Sequence, residues 1–254
     1  MATVLGANGR IEMFEDFLAG EDIVANTAVG RSFGGSGFRV IGQGSEQTDS
    51  GITVLEADGL NGVGDFASTN EVDHTIALTT GKVFDVGKMG TIVAEIRVQF
   101  ADLDTKEFYF GFTDVNGDVA VLEGENVSAN ASDALVIDLH ASDLCGFFLS
   151  AELTDDEDWH MVYNGGTTTG ETTAASIDAD DDAVAGEFQV LRLEIANNGT
   201  ARWYIDGVLK QTKTGAISTS TDVALIAMLE AKSASIEHAY VDYISVSASR
   251  DWTV

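Results

Sequence analysis

The sequence has no proline, a single cysteine and only 13 lysines and arginines, set against 42 aspartates and glutamates in 254 residues. One thiol, Cys145, cannot close an intramolecular disulfide, so no bridge staples this fold. No window approaches the ~18 unbroken apolar residues of a membrane helix. The opening MATVLGANGRIEMF has neither the basic stretch nor the apolar run of a secretory signal. The expectation is a soluble, cysteine-independent product made in a cytoplasm. A formal net charge of -29 repels nucleic acid phosphates and anionic lipid. The densest basic stretch, Lys210-Gln211-Thr212-Lys213, is too thin to track a phosphate backbone. Neither nucleic acid nor membrane is an expected partner. With proline missing, turns fall to Gly, Asn and Asp.

What is present is alternation of period two. Ile92, Ala94, Ile96, Val98 and Phe100 share one face of a strand, and Glu95, Arg97 and Gln99 the other. Phe108, Phe110 and Phe112 repeat the pattern, as do Leu191, Leu193 and Ile195 against Arg192 and Glu194. Trp159 to Tyr163 alternates too, and Val223 to Leu229 is apolar throughout, as a strand covered on both faces is. Asn116-Gly117 and Asn197-Asn198-Gly199 are hairpin-grade turns, and Asp206-Gly207 is a third turn or a bulge. Helical periodicity is nearly absent; Ile11, Phe14, Phe17 and Leu18 fit one helical turn or a strand beginning at Met13. These signals define an all-β protein. Residues 1–20 read as an N-terminal arm or first strand, and 21–254 as one domain. Gly30 to Ser50 and Gly165 to Gly186 read as long loops.

Sites for chemistry are sparse. Glu71-Val72-Asp73 begins a paired-carboxylate strand, but Ile76 occupies the place of a third acid, and Glu56-Ala57-Asp58 fails likewise. Asp114, Asn116 and Asp118 place oxygens at alternate positions, with Glu125 where an EF-hand glutamate stands, yet Val119 replaces the required glycine. Asp155-Asp156-Glu157-Asp158 and Asp178 with Asp180-Asp181-Asp182 are dense carboxylate runs, either solvated charge or a loop site for Ca²⁺ or Mg²⁺. Asp114, Asn116, Asp118, Asp180 and Asp182 are therefore the metal candidates, and no other cofactor is expected. His74, His140, His160 and His238 show no zinc spacing. Cys145, in an apolar run, reads as an inert core thiol. Trp203 packs inside, leaving Arg202 and Tyr204 out, and Trp159 is either core or rim.

The stretches LRLEIANNGTARWYIDGVLKQTKTG and VALIAMLEAKSASIEHAYVDYISV resemble the closing strands of the concanavalin A-like (laminin G/glucanase) jelly roll. The resemblance rests on Leu191 to Glu194, Tyr204 to Val208, and Val241-Asp242-Tyr243-Ile244. It implies a two-sheet antiparallel sandwich with an N-terminal extension. With Phe14-Glu15-Asp16-Phe17 and GFTDVNGD, the chain also looks like the jelly-roll structural proteins of tailed-bacteriophage virions. That likeness implies a non-enzymatic decoration (cement) protein on the outer capsid surface of the virion. It would bind the major capsid protein and itself, most simply as a homotrimer. Ile11, Phe14, Phe17 and Trp252 are the expected contact residues. The alternative is a glycan-binding module of a head or tail fibre using Trp159 and Tyr163 beside Asp158; a polysaccharide hydrolase is a third reading. The glucanase catalytic triplet and a legume-lectin calcium-and-sugar signature are both missing.

Overall fold

The computed structural model describes residues 9–18, 36–43, 50–55, 62–118, 121–129 and 131–251, and the backbone of 23–24. Among them nineteen strands form two large antiparallel sheets and one small hairpin, with no α-helix. The nine-stranded sheet runs, edge to edge, β17 (Val208–Lys213), β16 (Ala201–Ile205), β15 (Gln189–Ile195), β8 (Ile92–Gln99), β19 (His238–Ser249), β5 (Gly64–Ala67), β4 (Gly51–Val54) and β2 (Ile23–Val24). Its ninth strand, β1 (Arg10–Glu15), lies along the second half of β19. The eight-stranded sheet runs β14 (Asp178–Asp182), β13 (Asp158–Asn164), β12 (Leu144–Ser150), β9 (Lys106–Thr113), β18 (Asp222–Ala231), β6 (Thr75–Thr79) and β3 (Arg39–Ile41). Here β7 (Phe84–Asp85) pairs with the start of β18. β10 (Val127–Ala129) and β11 (Ile137–Leu139) make the hairpin.

The two inner faces supply the core. Phe108, Phe110 and Phe112 of β9, with Phe147 and Trp159, face Ile92, Leu191, Leu193 and Trp203 from the other sheet. Each sheet sends one tryptophan across. The Trp203 indole N–H donates to the Gly146 carbonyl at 2.8 Å, and the Trp159 indole N–H to Gln189 Oε1 at 2.9 Å. Burial of two such rings with their N–H groups satisfied fixes the spacing of the layers. The turn from β16 to β17 uses Asp206 (φ 47) and Gly207 (φ 80), the paired positive φ of a tight hairpin.

The sheets differ on their outer faces. In the nine-stranded sheet, burial alternates strictly along β8 and β15, so one face meets water. In the eight-stranded sheet every residue of β9 and β12 is buried. The segment 121–129, including β10, roofs that face. Tyr109 lies beneath the roof, over Gly111 and Gly146. A Cβ at Gly146 would stand 2.8 Å from the Tyr109 ring, so only glycine fits there.

Three expectations change. Asn116-Gly117 does not turn a hairpin: β9 pairs with β12 and β18, and residues 114–118 cross to other loops instead. Gly165 to Gly186 holds a 3₁₀ turn at Ala174–Ser176 and all of β14. Within Gly30 to Ser50, residues 39–41 form β3, while 30–35 and 44–49 lie outside the described residues.

Candidate functional site

Period-two alternation leaves one large accessible face, the outside of the nine-stranded sheet. Strand register aligns Tyr204, Arg192, Glu95, Ser245 and Phe14 in a single row across five strands. Arg192 bridges its neighbours, donating from Nη2 to Glu194 Oε1 at 2.6 Å and from Nη1 to Glu95 Oε2 at 3.4 Å. The bond to Glu194 raises the guanidinium pKa further. Tyr243 donates to Glu95 Oε1 at 2.7 Å. Partial burial, then that bond and the Glu95 charge, hold its phenol proton on well above the usual range. Phe14 stacks on Tyr243 with ring centroids 6.0 Å apart, and Arg97 lies 4.2 Å over the Phe188 ring while pairing with Asp242. A groove of about 530 Å³ opens along this row, lined by Glu95, Val190, Arg192, Glu194, Tyr204 and Asp206. It offers fixed donors, fixed acceptors and flat aromatic edges together.

The roofed face carries a second polar row, hidden from solvent. Ser150, Glu107, Glu230 and Thr75 sit side by side on β12, β9, β18 and β6. Glu107 accepts from Ser150 Oγ at 2.6 Å and from the Ala129 N–H at 3.1 Å. Glu230 accepts from Thr75 Oγ1 at 2.6 Å and from the Leu122 N–H at 2.8 Å. Burial pushes the Glu107 carboxyl up to about 8 and raises Glu230 as well. Lys232 ends the row, its ammonium held by Asp73 at 2.8 Å, by Glu123, and by Glu152 at 3.4 Å.

The residues named from the sequence fall in several places. Trp159 and Tyr163 are buried, on the inner side of β13, and present no ring to a sugar. That corrects the glycan assignment: alternation along β13 turns both inward. Phe17 is also buried, edge-on to Phe66 at 6.2 Å, and cannot be a contact residue. Ile11 packs partly on the core, whereas Phe14 is 46% exposed. Trp252 lies outside the described residues. The Asp114 carboxylate accepts from the Asp143 N–H, and Asn116 Oδ1 from Thr79 Oγ1. Those bonds commit them to different neighbours. Among the described residues two groups of three acids lie close together, Asp73, Glu123 and Glu230, and Asp155, Asp158 and Asp178, while Asp182 reaches only Asp158, by a side-chain hydrogen bond. Neither group contains Asp114, Asn116, Asp118, Asp180 or Asp182. Glu71 pairs with His74 at 2.9 Å, and Asp73 turns to Lys232.

Sequence reasoning placed Glu95, Arg192 and Tyr204 on an outward face without naming them as a site. The signal that finds them is strand register, which the pattern of a single strand does not carry.

No protein-family profile matches the sequence, and no curated protein is similar to it in sequence. Solved structures are similar in fold. A protein of unknown function from Shewanella oneidensis MR-1 covers 100% of this chain and 92% of its own at TM-score 0.55 and 11% identity. Peanut lectin covers 94% of this chain and 97% of its own at TM-score 0.55 and 10% identity. The Bacillus licheniformis β-glucanase covers 92% and 97% at TM-score 0.52 and 13% identity. The protein therefore has the antiparallel jelly-roll sandwich of the concanavalin A-like lectins and glucanases.

Proposed function

We propose that this protein is a non-catalytic binding module that holds a glycan on the open face of its nine-stranded sheet. The observation that carries the reading is the row Tyr204–Arg192–Glu95. A guanidinium flanked by two carboxylates presents donors and acceptors in fixed geometry, which is what vicinal hydroxyls require. Tyr204, Tyr243 and Phe14 add the flat surface on which the C–H face of a sugar packs. Lectins and glucanases share this fold, but fold alone transfers no activity, so these residues carry the reading. The non-catalytic part of the reading is supported by the engagement of Glu95 and Glu194 with Arg192 and by the burial of Glu107 and Glu230.

The experiment is a glycan array probed with the wild-type chain, Arg192→Ala and Tyr204→Ala. Discrete glycan hits, weakened at least tenfold in both variants, are expected. An array without hits overturns the reading.

The phage resemblance gives a second reading, a decoration protein seated on the major capsid protein of a virion. What favours it is the mixture of arginine, acid and exposed aromatic on one face, the composition of protein–protein contacts. Binding to undecorated capsids that is lost in Arg192→Ala, with an empty glycan array, would select it.

A further inference from the structure

Independently of the glycan reading, we propose that Asn116 is a site of spontaneous covalent modification. The backbone nitrogen of Gly117 displaces its side-chain amide, and water opens the resulting ring to aspartate or isoaspartate. The chain contains five Asn-Gly steps, and three of them lie in the described residues, at 116–117, 164–165 and 198–199. With no side chain on the second residue, any of them has the freedom to close such a ring. The fold decides which one does.

Asn116-Gly117 follows β9 directly but belongs to no strand. Among the described residues the Gly117 N–H donates to no acceptor, so the nucleophile is free. A Cβ at Gly117 would meet nothing within 4 Å, which leaves the backbone room to rotate into the ring. Thr79 Oγ1 lies 2.7 Å from Asn116 Oδ1, as a donor to it. That donor stands where negative charge develops as the nitrogen adds to Cγ. In the first step the Gly117 nitrogen bonds to Asn116 Cγ and gives up its proton. The Cγ–Nδ2 bond breaks, and the amide leaves as ammonia with that proton. Water then cleaves the ring. Cleavage of the new bond to Cγ gives aspartate, and cleavage of the bond to the Asn116 backbone carbonyl carbon gives isoaspartate. Nothing is oxidised or reduced.

The other two steps are held shut. The Gly199 N–H donates to the Ala196 carbonyl at 2.9 Å, and Asn198 Oδ1 accepts from the Thr200 N–H at 3.1 Å. At Asn164 the amide nitrogen that would leave donates to the Ala141 carbonyl at 2.9 Å, and a Cβ at Gly165 would stand 2.1 Å from Asp143 Oδ1. Each must break a hydrogen bond or shift packed neighbours before its ring closes. The consequence at 116 is local. Aspartate there keeps an acceptor for Thr79. Isoaspartate instead adds a methylene to the main chain just before Asp118, whose carbonyl accepts from the Gly42 N–H at 2.9 Å.

The test is peptide mapping by mass spectrometry of the full chain, held in mildly alkaline buffer and sampled over weeks. Cleavage after glutamate puts the three asparagines in separate peptides, 108–123, 158–171 and 195–230. The 108–123 peptide should gain the mass of an amide-to-acid change at least about fivefold faster than the other two, the factor that one net hydrogen bond supplies. It should also split into two products of equal mass. An equal or faster change in either of the other peptides overturns the assignment. Gly117→Ala, which the open space around that residue admits, should slow the change severalfold, and an unaltered rate overturns the ring mechanism. The same chain in concentrated urea separates fold from sequence. There the three rates should converge; a ranking that survives unfolding overturns the assignment to the fold.

Discussion

Glu230 stands directly across the β18–β9 ladder from Glu107, and neither carboxyl reaches solvent. Like charges on adjacent buried positions cannot both be carried cheaply. The bonds divide the roles. Glu230 takes three N–H and O–H groups and lies 3.8 Å from the Lys232 ammonium, so it holds its charge better. Glu107 Oε2 has no partner, and desolvation lifts that carboxyl to about 8. At neutral pH Glu107 is a neutral acid.

This predicts a pH dependence. A carboxyl whose folded pKa exceeds its unfolded value binds more protons in the native state between the two values. Its stabilising contribution is complete below the unfolded value of about 4.5 and is lost as pH rises through about 8. Glu107→Gln copies the protonated form, so the variant should lose that slope. Calorimetric unfolding between these limits should show wild-type stability falling by an amount on the order of 3 kcal/mol more than the variant's. Equal slopes would place the titration elsewhere.

Lys232 follows the last residue of β18, and its nearly buried side chain carries an ammonium to the end of the row. Burial by itself lowers its pKa, but Glu107, Asp73 and Glu123 more than reverse that. Lys232→Met leaves Asp73, Glu123 and Glu230 facing one another, with a loss of about 3–5 kcal/mol expected. Lys232→Met combined with Glu230→Gln should recover part of it. Urea unfolding of the four members of this cycle checks the coupling; strict additivity would show that the charges do not interact.

The Tyr109 seat is a separate test of the roofed face. Tyr109 donates to the Phe112 carbonyl at 2.8 Å while its ring covers Gly111 and Gly146. Tyr109→Phe loses one buried hydrogen bond, about 1–2 kcal/mol. Gly146→Ala puts a methyl against the backbone of Phe110 and Gly111 as well as the ring, so nothing flexible can yield. It should cost more than Tyr109→Phe by at least ~1 kcal/mol, read as the lower midpoint in denaturant.

Local pattern carried much of this architecture. Alternation in Ile92–Gln99 and Gln189–Ile195, and the Asn198-Gly199 and Asp206-Gly207 turns, were legible because each is decided by neighbours in the chain. The apolar run in β18 announced a strand covered on both sides. Glu107 and Tyr109 were not legible. They stand at the polar positions of an alternating strand and are buried only because the segment 121–129 returns to cover them. The charged row on the open face was hidden differently: Glu95 meets Arg192 and Tyr204 through register, although Glu95 and Arg192 are 97 residues apart in the chain. Asn116-Gly117 failed as a hairpin because β9 had better partners in β12 and β18 than in the residues just after it.

Trp159 and Tyr204 separate core from site most sharply. The Trp159 ring is packed among Phe100, Phe108 and Phe147, with centroids 6.1–6.3 Å away, and its N–H is bonded to Gln189 in the opposite sheet. Trp159→Phe removes ring volume and leaves Gln189 without its donor, at a cost of about 2–4 kcal/mol. On the proposed glycan reading, affinity should not change, since the ring is buried away from the open face. Tyr204 is half-buried on that face, with its hydroxyl 3.4 Å from Glu194. Tyr204→Ala should cost the fold no more than ~1 kcal/mol and the ligand at least tenfold in affinity. Thermal unfolding and binding measured on the same two preparations check both halves. A Trp159→Phe chain of native stability with lost affinity would return the binding site to β13 and away from the nine-stranded sheet.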